Sequence, residues 1–100
     1  MNKAVALKNL EQAERIYNKA SDMVEEASAK REDALTKVRI ATANWADAPD
    51  GRQKRSAQSK KLRAEMAFKK ACHIAEKMQK KKQDTRAKLR TATLNWKNAS

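Results

Sequence analysis

"DAPDGR", Asp47–Arg52, holds the only proline and the only glycine of a 100-residue chain. Pro49 fixes its own φ, and Gly51 supplies a backbone free to take a positive φ, so Pro49-Asp50-Gly51 reads as a tight turn. Nothing on either side breaks a helix. The sequence therefore predicts one all-α domain over residues 1–100, with a first helix over 3–46, a turn over 47–52 and a second helix over 53–97. The two helices fold back on each other as an antiparallel hairpin, each on the order of 65 Å long at about 1.5 Å per residue.

Working outward from the turn, each arm carries a heptad pattern. With Leu10 as an a position, the first arm has Leu10, Tyr17, Val24, Arg31, Val38 and Trp45 at a. Its d positions are Ala6, Ala13, Ala20, Ala27, Ala34, Ala41 and Ala48, all alanine. The second arm has Lys61, Phe68, Ala75, Lys82, Leu89 and Trp96 at a, and Ala57, Ala64, Ala71, Met78, Thr85, Ala92 and Ala99 at d. Large residues alternating with alanine form an Ala-rich coiled-coil seam in which two backbones approach closely. Arg31 and Lys82 are the flaw: a charge on the seam costs stability unless its stem carries it outward or it finds a partner.

The arms also repeat. "KVRIATANWADA", Lys37–Ala48, returns 51 residues later as "KLRTATLNWKNA", Lys88–Ala99. The same offset pairs Lys3 with Lys54, Ala13 with Ala64, Glu14 with Glu65, Tyr17 with Phe68, and Lys30 with Lys81. This reads as an internal duplication of about 51 residues. In an antiparallel pair, Trp45 then lies beside the turn and Trp96 beside the N-terminus, each closing one end of the seam. Their neighbours offer the alternative of two matching polar contact sites: Arg39, Thr42 and Asn44 beside Trp45, and Arg90, Thr93 and Asn95 beside Trp96.

A hairpin with alanine along its seam buries little, and chain entropy of over about 1 kcal/mol per residue opposes folding. Ile16, Met23, Leu35, Leu62, Met66, Ile74 and Leu94 lie off the seam. Covering several of them by a second copy predicts a homodimer in the form of a four-helix bundle.

The chain offers little to catalysis. His73 and Cys72 are adjacent, so on a helix they point about 100° apart and do not pair or share a metal. There is no glycine-rich phosphate loop, no nucleophile elbow and no cysteine cluster. The reading is of a protein that is not an enzyme, with no catalytic residue, cofactor or metal. The lone cysteine, the early charges of "MNKAVALKNLEQAERI" and the lack of any long apolar run lead to the expectation of a cytoplasmic, membrane-free protein.

Charge carries the functional signal. Residues 1–50 hold eight Lys/Arg against nine Asp/Glu, a net of −1, whereas residues 51–100 hold sixteen against three, a net of +13. Such asymmetry speaks of partners more than of fold. Arg55, Lys60, Arg63, Lys69, Lys70, Lys77, Lys80, Lys81, Arg86 and Arg90 are the candidate phosphate contacts, and Arg63, Lys70 and Lys77 recur every seven residues. A small nucleic-acid-binding regulator follows, with RNA favoured over DNA because a smooth helix with few base-reading side chains suits recognition by shape and phosphate. The rival reading is an inhibitor or adaptor that lays the basic helix on an acidic protein surface.

Overall fold

The computed structural model describes residues 2–99. Two α-helices make up nearly all of it, α1 (Lys3–Asp47) and α2 (Arg52–Lys97), within one residue of the expected bounds, and no strand occurs among the described residues. The helices pack against each other. Gly51 makes the reversal possible by taking φ 96°, the left-handed region that side chains with a Cβ avoid.

At the helix ends, backbone groups without intrahelical partners draw on side chains where one is in reach. Asn2 caps α1, its Oδ1 accepting from the Val5 N–H at 2.9 Å. At the other end of α1, the Lys54 ammonium donates to the Trp45 carbonyl at 2.7 Å and reaches the Ala46 carbonyl at 3.5 Å. A cation on the last carbonyls also suits the negative end of the helix dipole. The α2 N-terminus follows Gly51, which has no side chain to cap it, and the Arg55 N–H donates to the Gly51 carbonyl at 3.1 Å.

The packing falls into two compact units, one of residues 27–75 with the turn, the other of the N-terminal part up to Glu26 with the C-terminal part from Glu76. In the second unit Lys3 meets Trp96 and Tyr17 meets Lys82, so the partner falls in number as the first member rises, and the pairing is antiparallel. Every a and d residue of the expected seam is buried or half-buried. Those that reach full burial are small: Ala6, Ala20, Ala27, Ala75 and Thr85, with no large side chain fully enclosed among the described residues.

The burial pattern adds a third row. Ser21, Ser28, Leu35 and Thr42 of α1, and Glu65, Cys72 and Thr93 of α2, are half-buried at e positions, while nearly all the g positions are exposed. The pairing is thus tighter on its e side and open on its g side. Thr85 is accommodated because its hydroxyl donates to the Lys82 carbonyl at 2.8 Å. Lys82 itself turns its ammonium over the Tyr17 ring, 6.0 Å from the centroid, so the charge placed on the seam is carried to an aromatic face.

Candidate functional site

The two tryptophans sit under lysines. Lys54 and Lys61 each place an ammonium 4.6 Å from the Trp45 ring centroid, and Lys3 places one 5.2 Å from that of Trp96. Lys3 and Lys54 are partners in the 51-residue offset, as are the two tryptophans. The repeated sequence is therefore accompanied by a repeated contact, one in each unit. Both copies of the phrase also end alike, Ala48 N–H donating to the Trp45 carbonyl and Ala99 N–H to the Trp96 carbonyl, each at 3.3 Å. Each ring is half-buried and lies beneath lysine ammonium, two groups over Trp45 and one over Trp96.

Around them the polar neighbours divide. Arg39, Arg90, Asn44 and Asn95 are exposed. Thr93 is occupied, its hydroxyl donating to the Leu89 carbonyl at 2.8 Å. Asn44 and Asn95 line grooves on the open g side, and Arg90 lines a groove on the other side.

All ten basic residues expected to contact phosphate are exposed. None of them takes part in the ion pairs Lys37–Asp33 (3.1 Å) or Lys61–Glu65 (3.5 Å). The unit of residues 27–75 carries Arg55, Lys60, Arg63, Lys69 and Lys70, and the other carries Lys77, Lys80, Lys81, Arg86 and Arg90. They do not share one face. At about 100° per residue, Lys60, Arg63 and Lys70 project on the g side of α2, while Arg55 and Lys69 project toward its e side. In the other unit Lys88 lines a groove with Asn9, Thr91 and Asn95, whereas Arg86 and Arg90 line a separate one with Tyr17 and Leu94.

A concavity between the arms lies in the unit of residues 27–75. A groove of about 530 Å³ runs between the arms beside the turn, lined by Lys37, Ile40, Ala41 and Asn44 of α1 and by Arg52, Gln53, Ser56, Ala57 and Lys60 of α2. Of its three cations only Lys60 stood among the expected contacts. Lys37 and Arg52 escape a reading that follows one helix at a time. The usable signal was the register: in an antiparallel pair, g positions of the two arms face each other, which sets Lys37 and Asn44 against Lys60 and Gln53.

Among the described residues no three His, Cys, Asp or Glu side chains gather as a metal-binding group, and no helix is long and apolar enough to cross a membrane. Compared with protein-family models, curated proteins and solved structures, the chain gives no significant match to any of them.

Proposed function

We propose that the protein is a small, non-enzymatic nucleic-acid-binding regulator that contacts phosphates through α2, with RNA favoured over DNA. The observation that carries this reading is charge on an open helix. Sixteen Lys/Arg against three Asp/Glu lie on α2, and the ten candidate contacts are all exposed. A nucleic-acid duplex presents one phosphate per about 1.7 Å of axis, so exposed cations in number find partners along it. RNA is favoured because α2 offers long, smooth cationic surface and few side chains able to read base edges. The location that suits this reading is the cytoplasm.

Dimerisation belongs to the same proposal. The chain keeps 7800 Å² accessible. A compact monomer of 11.3 kDa would keep roughly 5700 Å² by the usual scaling of surface with mass. Met66 is 72% exposed, and Leu94 and Leu62 are each more than half exposed. A second copy covering such side chains in a four-helix bundle supplies the apolar burial that an alanine seam lacks. These same side chains favour the second reading, an inhibitor or adaptor for an acidic protein, since phosphate binding alone does not require them. The duplication is the simplest origin for the shared phrase and the shared Lys–Trp contact.

The test is the affinity for labelled RNA and DNA duplexes as salt is varied. Replacing Arg63, Lys70 and Lys77 together by Gln should weaken binding and flatten the plot of log affinity against log salt by nearly one unit per phosphate contact removed, about two to three in all. The helix should persist, because Gln is nearly as good a helix former as Lys or Arg. A chain with no salt-sensitive affinity for either nucleic acid fails the proposal, and the acidic-protein reading takes its place.

A further inference from the structure

We infer that the groove beside the turn, between α1 and α2 in the unit of residues 27–75, is a seat for the phosphodiester backbone of the bound nucleic acid. The inference rests on the nucleic-acid reading and adds to it a place and a set of residues.

Three observations carry it. Lys37 comes from α1 and Arg52 and Lys60 from α2, so cations from both arms line one groove, joined by the donors Asn44, Gln53 and Ser56. No carboxylate lines it. Asp33 holds Lys37 at 3.1 Å from outside, but both side chains are about two-thirds exposed or more, and an ion pair so placed is readily given up. The groove's size and floor give the second observation. About 530 Å³ is more than a lone inorganic anion fills, and Ile40, with Ala41 and Ala57, gives it an apolar floor on which a sugar can rest. Finally, on the same side of α2, Arg63 and Lys70 continue from Lys60 within the unit, so a chain of phosphates leaving the groove meets further cations.

The corresponding groove of the other unit supplies the contrast. It is lined by Asn9, Lys88, Thr91 and Asn95 among others, and is smaller, about 320 Å³. By the 51-residue offset, Lys88 and Asn95 match Lys37 and Asn44, while Asn9 stands for Lys60 and Thr91 for Ile40. One cation remains where the turn-side groove has three. Equivalent positions thus differ in the features that a phosphate-sugar backbone would use.

The experiment measures binding of a short fluorescein-labelled RNA duplex by the full chain, by anisotropy over a range of salt. One variant carries Lys37→Gln, Arg52→Gln and Lys60→Gln. A second, of equal charge change, carries Lys8→Gln, Arg15→Gln and Lys19→Gln on the exposed flank of α1, outside the candidate contacts. The groove variant should flatten the salt plot by about two to three units, and the flank variant by less than about one. A third variant, Ile40→Thr with Lys60→Asn, copies the smaller groove and should lose about one unit of slope, which keeps the test open if the triple change unfolds the chain. Equal flattening by the two triple variants would mean that only the overall field of the chain matters and would overturn the seat. So would a groove variant that binds RNA like the parent, with the nucleic-acid reading left standing. A groove variant that loses affinity for poly-glutamate but keeps it for RNA assigns the groove to an acidic protein instead. Failure of the parent chain to bind the duplex at all removes the seat and the reading together.

Discussion

Gly51 shows how one residue sets the reversal of the chain. Its φ of 96° is strained for any L side chain, yet a Cβ placed there would meet nothing within 4 Å. Gly51→Ala should therefore cost about 1–2 kcal/mol through the backbone alone, while Gly51→Asn should cost less, both read from denaturant unfolding. Lys54 is the second decisive side chain. It ends α1 by hydrogen bonding to Trp45, lies over the ring of the same residue, and does so from the first turn of α2. Lys54→Gln should cost about 1–2 kcal/mol, because it removes a charge-assisted hydrogen bond and a cation–ring attraction at once. Lys3→Gln removes only a ring attraction at 5.2 Å and should cost less than about 1 kcal/mol. Equal costs at the two lysines would argue that the hydrogen bond to the carbonyl contributes nothing.

At the level of the helices, alanine at d decides how close the arms come. Ala20 and Ala27 are 3% and 6% exposed, so the space around them is already filled. Ala20→Leu should destabilise by about 1–3 kcal/mol through overpacking, despite adding apolar surface. A variant that melts higher would reveal a looser seam. The helix bounds and the seam were legible in the sequence, because Pro49 and Gly51 punctuate it once and the heptads run unbroken through both arms. The lysines over Trp45 and Trp96 were less so. They depend on which residues meet across the pair, and spacing within one arm is silent on that. For the same reason the ten basic residues were identified as exposed cations, while their division between two sides of α2, and the part of Lys37 and Arg52, needed the register. Charge count locates a cationic helix; only the pairing locates a groove.

For the whole molecule, exposed Leu62 and Met66, one helical turn apart on α2, are the sharpest test of self-association. The parent should sediment at about twice its 11.3 kDa at micromolar concentration, and Leu62→Glu with Met66→Glu should return it to one chain per particle with its helix content kept. A parent that sediments as a single chain defeats the proposed bundle and leaves these side chains to a different partner. The placement of the tryptophans has an optical consequence. Each unit contains one indole, Trp45 in residues 27–75 and Trp96 in the other. With Trp45→Phe or Trp96→Phe, the remaining emission becomes a thermometer confined to a single unit. Trp96 has one ammonium at 5.2 Å, whereas Trp45 has two at 4.6 Å and its carbonyl bound by Lys54. On slow heating the emission of Trp96 should therefore shift first, and the gap between the two curves would measure how far melting travels along the paired helices before the turn gives way.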